Sequence, residues 1–177
     1  TIDGTTTSST TITADASSAA GTDTSPQAAG GDVTIATVTG EADGDITVDT
    51  TGAISANGGH RGEGGSITFL SLGTGTMTVT GGGTITANAG NNASLNTSGL
   101  ALDGSNGGEV IFAHSGTGAG LVDKSISANG GSNSGGPGGF GGAIWVHSPD
   151  NAVVTLAGSW QANGGASSMT MQPETWP

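Results

Sequence analysis

The sequence predicts an all-β fold, a right-handed parallel β-helix (β-solenoid) of about four to five three-sided coils. Three observations carry that expectation. Glycine pairs at Gly30-Gly31, Gly64-Gly65, Gly107-Gly108 and Gly141-Gly142 each open a run of β-branched or aromatic residues. A second phrase, Ile54-Ser55-Ala56-Asn57-Gly58-Gly59, returns at Ile85-Thr86-Ala87-Asn88-Ala89-Gly90, Ile126-Ser127-Ala128-Asn129-Gly130-Gly131 and Trp160-Gln161-Ala162-Asn163-Gly164-Gly165, with Ile12-Thr13-Ala14-Asp15 as an earlier copy. The apolar residues alternate in short runs instead of recurring at helical spacing, as in Ser66-Ile67-Thr68-Phe69 and Thr76-Met77-Thr78-Val79, and that period of two marks strands.

Each unit therefore reads as three short strands. Ile, Val and Thr are stiff at χ1 and favour extended backbone, while the glycine pairs supply the corners. Superposing the first strands puts Val33, Ile67, Val110 and Ala143 in one inward file. The next file is a core stack of Ile35, Phe69, Phe112 and Trp145. Second strands contribute Val48, Val79, Val122 and Leu156, and third strands Ile54, Ile85, Ile126 and Trp160, each followed by a small alanine. The expected organisation is an N-terminal polar segment with a partial coil or cap over residues 1–29, solenoid repeats over 30–165 with coils starting near 30, 64, 107 and 141, and a C-terminal cap or tail over 166–177. The coil starts are separated by 34, 43 and 34 residues, with the variation confined to Gly, Asn and Ser stretches.

Composition agrees with a narrow tube. Of 177 residues, 36 are Gly, 32% are hydrophobic, 3% aromatic and 9% charged, too little large side-chain material for a broad two-layer core. A solenoid needs few buried side chains per coil, because its backbone pairs with the coils on either side at a spacing of about 4.8 Å. The formal charge of −12 repels phosphate backbones and anionic lipid, which argues against nucleic-acid partners. Membrane insertion is not expected, since no apolar run approaches the roughly 18 residues that span a bilayer. Absence of Cys removes disulfides, thiolate metal sites and thiol catalysis. The opening residues Thr1-Ile2-Asp3 suggest a processed or excised product.

The alternation of G-G-x-[IV]-x-[FIW] strands with I-[ST]-A-N-G-G corners over about residues 30–165 resembles right-handed β-solenoid passengers of the filamentous-haemagglutinin and autotransporter adhesin type. That resemblance implies a secreted, extracellular or cell-surface protein that builds fibres or binds cells and generally lacks catalysis. The expected function is a structural subunit of a homopolymeric filament or surface fibre, with itself as partner. An adhesin fragment binding glycans or a cell surface is the alternative. A polysaccharide-acting β-helix enzyme is a third, which needs clustered carboxylates or a basic residue over an acidic sugar; Arg61 and Lys124 are the only basic residues and lie in separate coils, so no enzyme and no catalytic residue is expected.

Particular residues follow from the superposition. Asp15, Asn57, Asn88, Asn129 and Asn163 fall at one corner of successive coils and predict a structural ladder. Asp43, Asp45 and Asp49 are the one calcium candidate, a cation that takes about six to eight oxygens; a solvated acidic turn without cofactor is the preferred reading. His114 and His147 would sit one above the other on adjacent coils, with a corner hydrogen bond preferred over a shared metal ion. The outer face of the first strands turns apolar towards the C-terminus, and Leu70, Ile111, Ile144 and Val146 with Trp160 and Trp176 form the candidate assembly face. Asn92 and Asn96 begin formal glycosylation sequons.

Overall fold

A computed structural model describes residues 11–16, 28–37, 45–72, 74–92, 104–115, 117–148 and 153–167. The described residues form thirteen strands in three parallel sheets and contain no helix. The first sheet stacks β2 (Asp32–Ala36), β5 (Ser66–Ser71), β8 (Glu109–His114) and β11 (Ala143–His147). The second stacks β3 (Ile46–Asp49), β6 (Met77–Thr80), β9 (Gly120–Asp123) and β12 (Val154–Ala157). The third stacks β1 (Ile12–Thr13), β4 (Ile54–Ser55), β7 (Thr84–Thr86), β10 (Ser125–Ser127) and β13 (Trp160–Gln161). The chain visits the sheets in rotation and every pairing is between equivalent strands of neighbouring coils, which is a right-handed parallel β-helix. Residues 1–10 and 168–177, and with the latter most of the expected C-terminal cap or tail, lie outside the described residues.

Register fixes which side chains enter the tube. On the third sheet Ile12, Ile54, Ile85, Ile126 and Trp160 are successive partners. On the second sheet Val48, Val79, Val122 and Leu156 form one file, and Ile46, Met77, Gly120 and Val154 the other. The first sheet places Val33 level with Ile67 and Val110, and Ile35 level with Phe69 and Phe112. Phe69 and Phe112 stack face to face at 4.9 Å between centroids, and Trp160 lies 6.0 Å from Phe112. Burial of each phenylalanine stabilises by about 1.5–3 kcal/mol, and their stacking adds about 0.5–1.5 kcal/mol.

The last coil corrects the expected core stack. Ile144 pairs with Val110 and Val146 with Phe112, whereas Ala143 pairs with Glu109 and Trp145 with Ile111. Trp145 therefore points outward and is 58% exposed, while Ile144 and Val146 pack against the core and leave the assembly face. The cause is the fixed offset from the glycine pair. Gly108 and Gly142 donate to the equivalent carbonyls of Ala87 and Ala128, so the second residue after each of them faces inward. A strand slipped by one residue would invert every side chain, and matching bulky Trp145 to the phenylalanine file implies that slip.

Candidate functional site: the asparagine ladder and the faces around it

The ladder forms at the corner that follows the third sheet. The side-chain carbonyl of Asn57 accepts the backbone N–H of Asn88 at 2.9 Å, Asn88 accepts that of Asn129 at 2.8 Å, and Asn129 that of Asn163 at 2.9 Å. Asp15 starts the series by accepting the Asn57 N–H at 2.6 Å. The amide nitrogens make a second rail: Asn57 Nδ2 donates to Thr86 Oγ1 and Asn88 Nδ2 to Ser127 Oγ, each at 3.0 Å. At the first rung a carboxylate can only accept, and the direction inverts, with Ser55 Oγ donating to Asp15 Oδ2 at 2.9 Å. Each rung thus supplies a partner for a backbone donor that the bend takes out of the sheet ladder.

Asp45 is exposed, and its carboxylate accepts both the N–H of Thr76 at 2.6 Å and its hydroxyl at 3.0 Å. Those two bonds favour the charged form and hold its pKa below the ordinary aspartate value. Asp49 is exposed at the end of β3 beside Thr80, and Asp43 lies outside the described residues. No group of three or more His, Cys, Asp or Glu that could hold a metal ion occurs among the described residues.

The two histidines do not stack. His114 is level with Ser71 and wholly buried, its Nε2 within 2.8 Å of the Gly118 carbonyl. His147 is level with Ala113 and exposed, because the register that turns Trp145 outward also turns His147 outward. The buried ring gives the corner hydrogen bond in place of a metal pair. Within the assembly face, Leu70 and Ile111 are half-buried on the outer side of the first sheet, and Trp160 is turned inward with its Nε1 donating to Ala157 O at 3.2 Å. Trp176 lies outside the described residues, as does Asn96. Asn92 is buried in a bridge to Asn133, a position without room for a glycan.

One buried charge was not anticipated. Lys124, only 2% exposed, occupies the corner between β9 and β10, and its ammonium donates to Thr50 O at 2.7 Å, two coils away. The intervening coil has Gly81 at that corner, with φ +98°, where any Cβ would overlap the Thr50 carbonyl. Burial lowers the Lys124 pKa, and the fields of Asp49 and Asp123 partly restore it. The parity of Val122, Lys124 and Ile126 was the available signal, since both flanking residues face inward.

A shallow groove of about 550 Å³ follows the glycine pairs between the third and first sheets, with Asp32, Ser66 and Glu109 along one side. Near its C-terminal end stand Trp145 and Phe140, the latter 80% exposed. Beside it, Asn106 Nδ2 donates to Glu63 at 3.4 Å and Asn106 accepts the Phe140 N–H at 3.0 Å, a shorter ladder whose members each stand directly before a glycine pair but differ in residue type from coil to coil. In comparisons with family models, curated proteins and solved structures, nothing matched this chain.

Proposed function

We propose that this chain is an extracellular structural protein, a subunit of a homopolymeric filament or cell-surface fibre of the kind built by β-solenoid adhesin passengers, acting by assembly instead of turnover. The observation that supports this reading most is the sameness of the coil-to-coil surface. Backbone pairing recurs at each step, with an isoleucine file and an asparagine rung through the inner coils, so successive coils present one another with closely matching surfaces, a pattern that a second copy could extend. Low charge and a single lysine leave few of the side chains that normally block edge pairing. Electron microscopy of the purified chain over a range of concentrations tests it. Ordered fibres are the expected outcome, and monodisperse particles at every concentration would refute it.

A second reading, adhesion to glycans, draws on exposed Trp145 and Phe140 beside the glycine-floored groove. An aromatic face and flanking carboxylates suit a sugar chain lying along the solenoid. Saturable binding on a glycan array that is lost in Trp145→Ala would favour this reading over assembly.

A further inference from the structure

Four Asn-Gly pairs occur in the chain: Asn57-Gly58, Asn106-Gly107, Asn129-Gly130 and Asn163-Gly164. This dipeptide is chemically labile, because the unhindered glycine nitrogen can attack the asparagine side-chain carbonyl. The structure treats the four pairs differently. Gly58 donates its N–H to Asn88 O at 2.8 Å, Gly130 to Asn163 O at 2.8 Å and Gly107 to Phe140 O at 2.9 Å. The side-chain carbonyls beside them are also engaged, on the N–H groups of Asn88, Asn163 and Phe140 respectively. Both the nucleophile and the electrophile of those three pairs are therefore held in separate hydrogen bonds. At Asn163-Gly164 neither is: the residues are exposed, and among the described residues the Asn163 side chain and the Gly164 N–H have no hydrogen-bond partner.

We infer that Asn163 is a site of spontaneous deamidation, the one unprotected position among four equivalent dipeptides. The Gly164 nitrogen bonds to Asn163 Cγ and loses its proton, the Cγ–Nδ2 bond breaks, and ammonia departs to leave a five-membered succinimide. Water then adds at either ring carbonyl and opens the ring, giving aspartate or isoaspartate; no oxidant or reductant takes part. The two products differ in consequence for the ladder. Aspartate keeps the side-chain acceptor, as Asp15 does at the first rung. Isoaspartate adds a methylene to the main chain two residues past β13 and displaces that acceptor from the register of the rungs before it. Ageing at Asn163 thus alters the one ladder position whose acceptor is unspent among the described residues.

The test is incubation of the folded chain at mildly alkaline pH, followed by proteolysis, mass spectrometry of the four peptides and enzymatic methylation to count isoaspartate. Conversion at Asn163 is expected to outpace the other three by about tenfold or more, the factor given by a barrier difference of about 1.4 kcal/mol. In urea the four pairs should convert at similar rates, since their local sequences are alike. Gly164→Ala, whose Cβ meets only Gly139 O at 3.3 Å, should suppress conversion at residue 163 while leaving the circular dichroism unchanged. Equal conversion at Asn57, Asn129 and Asn163 in the folded chain would overturn the inference, as would an intact Asn163 under conditions that deamidate the unfolded chain.

Discussion

Asn88 sits in the middle of the ladder and makes its contribution through both ends of the carboxamide, accepting from Asn129 N–H and donating to Ser127. Asn88→Ala should cost about 1–3 kcal/mol, because a half-buried backbone donor loses its acceptor. Asn163→Ala should change the melting temperature very little, since among the described residues its side chain reaches no further coil. Calorimetry on the pair checks the contrast, and equal melting of wild type and Asn88→Ala would reject the ladder as a stabilising element. Lys124 gives a prediction of unusual sign. Its folded pKa is lowered, so between that value and the ordinary lysine value of about 10.4 the unfolded chain binds more protons, and stability rises with pH across the window. Lys124→Met keeps the stem but removes the charge, and Thr50 O still accepts from Gly83 N–H at 3.4 Å. The variant should be at least as stable as wild type near neutral pH and should lack the alkaline rise; a parallel rise in both proteins would show that Lys124 is not its source. Asp45 has the same sign in an acid window, its stabilisation being present above about pH 3.9 and lost as pH falls through its depressed folded pKa. The asparagines were legible because they recur in a fixed phrase. Lys124 was not, because one lysine has no repeat to announce it and only the inward parity of its neighbours marks its place.

At the level of the strand, β11 shows how much of the register is carried by glycine and how little by side-chain size. A reading that follows bulk puts Trp145 over Phe112, and one that follows the second glycine of each pair puts Val146 there; the hydrogen bonds from Gly108 and Gly142 select the second. The tube is narrow, so the glycine corner, where a Cβ would collide with the backbone of the neighbouring coil, leaves one position for the strand to begin. Val146→Asp should destabilise the last coil by more than about 1 kcal/mol, since a charge would enter the half-buried file above Phe112. Trp145→Asp should stay within about 0.5 kcal/mol of wild type, as expected for an exposed site. Denaturant titration of both variants checks the register, because the slipped alternative demands the reverse order. The second and third sheets needed no such correction. Their expected files, Val48 to Leu156 and Ile54 to Trp160, hold because each of those strands is short and is pinned on one side by a corner with a recognisable sequence. The pairing of His114 with His147 failed for the same reason as Trp145, a single residue of register, and with it went the geometry that a shared metal ion requires.

Across the whole molecule, burial is uneven in a way that bears on assembly. The fully buried side chains gather in the middle coils, including Ile67, Phe69, Met77, Val79, Ile85, Val110, Phe112 and Val122. Residues in the equivalent inward files of the last coil, Ile144, Val146, Val154 and Trp160, are only partly buried, and Leu156 is 47% exposed. In a solenoid each coil is held by its neighbours, so stability should fall from the centre towards either end. Amide hydrogen exchange of the dilute chain is therefore expected to be slowest in β5 to β10 and fastest in β1 and β11 to β13. If copies add coil upon coil, the same measurement above the assembly concentration should slow β11 to β13 of one copy and β1 to β3 of the next, because edges that have no strand partner among the described residues gain one and the partly buried files close over. If copies associate instead through the outer face of the first sheet, around Leu70, Ile111 and Trp145, the strand edges keep their fast exchange while Trp145 loses its accessibility to a collisional quencher. Protection of the last coil with Trp145 still open to the quencher identifies axial growth, and the converse identifies lateral contact. If neither the exchange profile nor the quenching of Trp145 changes with concentration, self-assembly is removed as the role of this fold and the groove beside Trp145 is left as the surface through which it acts.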